Sequence, residues 1–194
     1  MCIRDRIATD DYDWWPKLTN PIQDAQAVAD SLKDLYGFQV ELLRNPTQKE
    51  IYDALTRYRN KQYDPGDQLL VFIAGHGDFD ENAKEGFLVA RDSQLLGADA
   101  MRTSLIPHSR LRNYIDNFPV RHVVVVMDVC FGGTFDRAIA GAGDRGAMYS
   151  NLSIEELFTQ RDQYITRKFI TSGGKVYVPD GEPGHHSPLS LIHI

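Results

Sequence analysis

Residues 69–77 read LLVFIAGHG and residues 123–133 read VVVVMDVCFGG, and each apolar run leads into a residue able to do chemistry: His76 in one, Cys130 in the other. Continuous Leu, Val and Ile runs mark strands buried on both faces of a parallel sheet, and open parallel sheets bind ligands just beyond the carboxyl ends of such strands. Both residues stand at that edge. If the two strands are neighbours, an imidazole and a thiol project side by side. A thiol with a pKa of about 8.5 is only a few per cent thiolate at neutral pH, whereas a His partner holds thiolate and imidazolium as a pair. Cys130 would then attack a carbonyl and His76 would protonate the leaving amine. Backbone N–H groups at Gly77 and Cys130 would receive the oxyanion. Gly77 and Gly132 would leave room for substrate backbone.

On either side of these strands, helix and strand signals alternate. In NPIQDAQAVADSLKDLYG, residues 20–37, Asn20 is the expected N-cap, Pro21 the first helical residue, Gln23 the capping-box partner and Gly37 the stop. Ile22, Ala25, Ala29, Leu32 and Leu35 keep helical spacing. FQVELL reads as a strand. Thr47 with Glu50 opens a second helix carrying Ile51, Leu55 and Tyr58. GFLVA reads as a short strand or hairpin arm, SRLRNYIDNF as a third helix, and RKFITSG as a fourth core strand. Between Cys130 and that strand, GGTFDRAIAGAGDRGAM is Gly-rich and loop-like, and Ser153 with Glu156 caps a short helix. The alternation predicts an α/β fold, a three-layer α/β/α sandwich around a mostly parallel sheet.

The chain has 194 residues, enough for one domain burying about 70% of its unfolded surface. With a formal net charge of -6, a pI near 5.5 and no Lys or Arg run, it lacks an electrostatic footprint for nucleic acid, and a basic ligand fits better. No apolar run approaches the roughly 18 residues of a membrane helix, so no membrane partner is expected. Only Cys130 of the two cysteines lies inside the patterned chain, Cys2 being in the hexapeptide MCIRDR. There is thus no disulfide framework, and a cytoplasmic location is the expectation. IATDDYDWW reads as the end of a strand whose start is missing, and SPLSLIHI stops where an element should continue. The domain is therefore expected over residues 7–190, with 1–6 and 191–194 as fragment edges or foreign sequence.

Simpler readings compete. A lone Cys at the end of a buried strand is often a small hydrophobe, and a lone His a structural residue. Among the other histidines, His122 opens the strand that Cys130 closes, and eight residues of strand (130 − 122) put them ~26 Å apart. His108 opens a helix and should face away. His185 and His186, after the last strand, are the rival bases or else belong to a loop.

IAGHG followed by DVCFGG resembles the paired His and Cys blocks of the caspase-like cysteine peptidases, whose His precedes the Cys by about 50 residues. Residues 9–55 are similar to the first strand, helix and strand of prokaryotic caspase homologues and metacaspases, and RKFITSGG to the strand after their processing loop. The resemblance implies a cysteine endopeptidase fold with His76 and Cys130 as dyad and the Gly77 and Cys130 amides as oxyanion hole. Where animal caspases carry Gln-Ala-Cys, this chain has Asp128, Val129 and Cys130. Metacaspases and paracaspases are similar in having an acid there, where it lines the first specificity pocket and receives Arg or Lys. Asp24 stands where those families supply a second carboxylate. One carboxylate about 4 Å from a guanidinium is worth up to ~4 kcal/mol at an effective dielectric of 20, before desolvation. Alternatively, Asp24 is a helix-dipole partner and Asp128 a structural acceptor.

The expected partner is thus a protein or peptide with a basic residue before the cut. Self-processing would fall near Arg137 or Arg145 in the Gly-rich segment. The thiol chemistry calls for no cofactor. Some metacaspases are activated by calcium, but no calcium site is identifiable, and GDFDE, with Asp78, Asp80 and Glu81, lacks calcium-loop spacing and reads as a solvated acidic turn. Trp14 and Trp15 either cover the core or border the cleft. Two other classes stay open: a caspase-like scaffold or interaction module with feeble or no hydrolysis, and an Asx-directed or transpeptidating thiol enzyme like the legumain relatives.

Overall fold

The computed structural model describes residues 2–136, 164–173 and 185–191. Five parallel strands form the main sheet: β1 (Cys2–Ala8), β2 (Gln39–Arg44), β3 (Gln68–Gly75), β7 (His122–Val129) and β8 (Thr166–Thr171). Their order is β2-β1-β3-β7-β8. A smaller antiparallel sheet contains β4 (Gly77–Asp80), β5 (Glu85–Leu88) and β6 (Ile106–Pro107). The helices are α1 (Pro21–Tyr36), α2 (Gln48–Asn60), α3 (His108–Asp116) and the short α4 (Pro188–Leu191), with a 3-10 turn at Gly132–Asp136.

Alternation along the central strands explains the layers. Leu69, Val71 and Ile73 of β3, with Val123, Val125 and Met127 of β7, share one apolar cluster with Ile51, Leu55 and Tyr58 of α2 and Leu111 and Ile115 of α3. The intervening Phe72, Ala74 and Val126 pack instead with Ala25 and Val28 of α1 and Leu189 of α4. Helices thus cover both faces, as parallel strands without a polar face require. The β1–β2 connection runs one way across the sheet with α1 on one face. The return through α2 runs the other way on the opposite face, as right-handed crossovers demand.

Local signals act where they were read, with three differences. The Thr47 hydroxyl accepts from the Glu50 N–H, and the Glu50 carboxylate accepts from the Thr47 N–H at 2.7 Å, a complete capping box. The Thr47 N–H, and after it the Thr47 hydroxyl at 2.8 Å, donate to the Glu50 carboxylate and hold it below its usual range. Gly37 ends α1 in the left-handed region at φ 65°. Asn20, in contrast, makes no side-chain cap: it is fully buried with helical φ and ψ, so the box with Gln23 does not form. Leu35 is 74% exposed, in a last turn of α1 where Asp34 and Tyr36 are exposed as well. RKFITSG forms β8 at the end of the described sheet order, paired to β7, with Ile170 39% exposed, so among the described strands it lies at the edge rather than in the core.

Candidate functional site

The positions of His76 and Cys130 follow from strand register. β3 and β7 pair in parallel from Gln68 with His122 through Gly75 with Val129, a constant offset of 54. His76 and Cys130 are also 54 apart (130 − 76), so they are the next step beyond the last pair, on strands about 4.8 Å apart. Backbone contact bears this out: a β-carbon at Gly77 would overlap the Cys130 carbonyl oxygen. The space glycine leaves at Gly77 is therefore taken by the Cys130 backbone rather than by substrate. The same correction applies to Gly132, where a β-carbon would meet the Thr171 side chain at 3.3 Å.

Beyond Gly75, the chain turns into the small sheet. Gly75 has φ 151°, and a β-carbon there would lie 2.7 Å from the Tyr12 hydroxyl, so both conformation and space call for glycine. The Val89 N–H donates to the His76 carbonyl at 3.1 Å, and Gly77 pairs with Leu88. Gly77 is thus the non-hydrogen-bonded member of that ladder, and its N–H is not used there. Cys130 is in no disulfide and is 7% exposed, and the next residue, Phe131, has φ 60°. The Phe131 ring stacks on Phe79 of β4 at 5.8 Å, joining the segment after His76 to the segment after Cys130.

The loop after β1 surrounds the imidazole. With β1 between β2 and β3, this sheet has its switch point there, and the loops after β1 and β3 meet beyond the strand ends. His76 Nε2 lies 2.8 Å from the Pro16 carbonyl oxygen. A carbonyl only accepts, so the proton of the neutral ring sits on Nε2 and Nδ1 is the basic nitrogen. The His76 N–H donates to the Tyr12 hydroxyl at 2.8 Å, and that hydroxyl donates to the Thr9 carbonyl at 2.8 Å. The Tyr12 and Trp15 rings lie 4.9 and 5.7 Å from the imidazole, so Trp15 borders His76, whereas Trp14 is 60% exposed. Thr9, Tyr12 and Pro16 gave no sequence signal as parts of the site: two act through carbonyls, which every residue has.

A second group forms on the α1 side of the sheet. Asp128 shares the strand parity of Val124 and Val126, which face α1, and Asp24 sits in the first turn of α1. Asp24 is 1% exposed and accepts from His186 Nδ1 at 2.6 Å and from the Ser187 N–H at 3.0 Å. The Ser187 hydroxyl donates to Asp128 Oδ2. The two acids predicted to share a pocket are therefore joined through one serine. His186, a rival base by sequence, is held on Asp24, and His185 is exposed.

His108 is not turned outward: it is 2% exposed and meets Phe135 edge-on at 5.6 Å, and burial pushes its pKa down to about 4. His122 sits at the far end of β7, Nδ1 2.9 Å from the Thr166 hydroxyl. GDFDE is also corrected. Arg102 Nε binds Asp78 at 2.9 Å and Nη1 binds Asp80 at 2.6 Å, making it a partly buried, charge-paired hairpin rather than a solvated turn. Among the described residues, no group of three or more His, Cys, Asp or Glu could hold a metal ion, and no helix is long and apolar enough to cross a membrane. Arg137, Arg145 and the helix expected from Ser153 lie outside the described residues.

Comparison with solved structures shows similarity to caspase-1 from Spodoptera frugiperda, with TM-score 0.64 and 18% identity over 98% of this chain and 66% of that one. The Drosophila initiator caspase Dronc is matched with TM-score 0.49 and 15% identity over 65% of this chain and 47% of that one. The chain thus spans less than two thirds of the length of either, and the first likeness shows the fold. No curated protein matches the sequence. A family model of the caspase domain matches residues 7–176, which is most of the chain, and this chain belongs to the caspase domain family of cysteine peptidases.

Proposed function

We propose that this chain is a cysteine endopeptidase of the metacaspase or bacterial caspase-homologue type, hydrolysing peptide bonds after Arg or Lys. The observation that carries the dyad is the shared offset of 54, which continues the β3–β7 register to His76 and Cys130. The Cys130 thiol passes its proton to His76 Nδ1 and its sulfur attacks the scissile carbonyl. The oxyanion is received by the amides of Gly77 and Cys130, of which the first is not engaged in the β4–β5 ladder. Collapse releases the amine with the proton from His76, leaving an acyl-enzyme. His76 then deprotonates a water that attacks the thioester and returns the proton to sulfur. Asp128 and Asp24 give the pocket its preference for a cation, a reading supported by their convergence on Ser187.

Release of a fluorescent group from matched peptides ending in Arg, Lys, Asp or Asn tests this, for wild type and Cys130→Ala, with and without calcium. Arg or Lys turnover that vanishes in the variant is expected. Turnover on Asp or Asn alone would keep the thiol chemistry and sink the basic pocket, and silence on all four from folded protein would favour the scaffold. Intact mass in the same incubations reads self-processing, for which Arg137 and Arg145 are the proposed positions.

A further inference from the structure

His76 and Cys130 lie between two ties that join the β3 and β7 segments. Behind them is the β3–β7 ladder, whose last pair is Gly75 with Val129. Beyond them the Phe79 and Phe131 rings stack, with centroids 5.8 Å apart and planes 20° from parallel. Between the ties the two backbones touch, since a β-carbon at Gly77 would overlap the Cys130 carbonyl oxygen. Phe131 has φ 60°, in the left-handed region where a bulky side chain is an outlier. Such a conformation persists where its surroundings over-determine it. Relaxing Phe131 to negative φ would turn the Cys130–Phe131 peptide, whose carbonyl now lies against Gly77.

Phe79 is itself fixed from the other face of its strand. Alternation along β4 puts Asp78 and Asp80 on the face opposite Phe79, and Arg102 binds both, Nε to Asp78 at 2.9 Å and Nη1 to Asp80 at 2.6 Å. On the far side of Phe131, the Gly133 N–H donates to the Gly173 carbonyl at 2.8 Å, and Phe135 is buried in the larger core cluster. Both stacked rings are partly buried and lie outside the core clusters formed by the described residues, which separates their contact from the packing that holds the fold. We infer that Phe79 is a positioning residue: its ring holds Phe131 in the left-handed conformation and so sets the Cys130 peptide and thiol against Gly77 and His76. The inference rests on the proposed His76 and Cys130 dyad and not on the Arg or Lys pocket.

Phe79→Leu and Phe131→Leu keep apolar volume and remove an aromatic face, whereas Phe79→Tyr keeps the face. In each, alkylation by iodoacetamide is followed against pH on the Cys130 peptide by mass, since Cys2 also carries a thiol, with circular dichroism and melting to confirm folding. Wild-type alkylation should persist well below the ordinary thiol range and lose that property in His76→Ala. Each Leu variant should move the midpoint up by about one pH unit and lower kcat on the Arg peptide about tenfold, with KM within about twofold. Phe79→Tyr should keep wild-type values, and the double Leu variant should match the single ones, because the two rings form one contact. Folded Leu variants that melt earlier but keep the wild-type midpoint and kcat overturn the inference and leave the dyad standing. Single effects that multiply in the double variant overturn it as well. A wild-type profile that His76→Ala does not move removes the dyad reading and the inference together. The profile needs no substrate, so it decides the matter even if the Arg peptide is not cut.

Discussion

Tyr12 connects the loop after β1 to the backbone of His76 through one hydroxyl that is both acceptor and donor. The residue is 6% exposed, so deleting the hydroxyl leaves the His76 N–H and the Thr9 carbonyl to find other partners in a dry setting. Tyr12→Phe should cost about 1–3 kcal/mol of stability, the range for a buried group left unsatisfied. Because the same bond fixes where the imidazole starts, kcat should fall about ten- to a hundredfold with KM little changed. Urea unfolding and steady-state kinetics on an Arg peptide check both. A kcat equal to wild type in a destabilised variant would show that the hydroxyl serves folding alone. Trp15 tests differently, since it touches His76 from the side and its Nε1 donates to the Gln94 carbonyl at 3.3 Å. It covers one side of the ring.

At the scale of elements, Arg167 of β8 holds the end of α3 to the start of β7. Its guanidinium donates to the carbonyls of Ile115, Phe118, Arg121 and Thr166 at 2.8–3.1 Å. Burial pushes its pKa down, yet arginine remains a cation, a fitting partner for carbonyls at a helix C-terminus. Arg167→Ala should destabilise by about 2–4 kcal/mol, and Arg167→Lys should recover only part, because one ammonium cannot replace a planar fork. Chemical unfolding reads the series, and full recovery by lysine would mean that charge alone mattered. Arg167 also marks what the sequence could show. Apolar runs made β3 and β7 legible, caps and spacing made α1 and α2 legible, and the adjacency of His76 and Cys130 followed because each strand delivers its residue at the same edge. Contacts made through backbone carbonyls were not legible: Pro16 to His76, or Arg167 to four carbonyls, leave no trace in residue type. Nor was Ser187, whose partners lie 163 and 59 positions away in the chain, with no periodicity to record the meeting. Gly77 was read as room for substrate because a sequence does not say which backbone fills the gap.

Across the whole molecule, His108 is the titratable group on which several parts converge. It starts α3, directly after β6, and lies against Phe135 of the turn that follows Cys130; Phe135 in turn meets Phe169 of β8 at 5.0 Å. Burial lowers its pKa from 6.5 to about 4, so the folded chain keeps it neutral where the unfolded chain binds a proton. The unfolded state then holds one more proton between those values, and stability rises with pH there by about 1.4 kcal/mol per unit. His108 therefore adds its full contribution above pH 6.5, and that contribution is lost as pH falls through about 4, a total of about 3 kcal/mol. Asp99 does not confuse this window. Hydrogen bonds from the Ser104 N–H and hydroxyl, with Thr103 adding to them, hold it at about 2, so its own contribution is lost only at lower pH. Urea unfolding at pH 7, 5.5 and 4 for wild type and His108→Gln isolates the histidine, since other groups cancel in the difference. The gap between the two proteins should shift by up to about 3 kcal/mol toward the variant as the pH is lowered. A gap constant across that range would mean that His108 titrates alike in both states, and that its burial against Phe135 opens before the proton binds. In the expected case acid acts first where α3, β6 and the turn after the thiol meet. Loss of Cys130 alkylation by iodoacetamide should then track unfolding in wild type and move to lower pH in the variant.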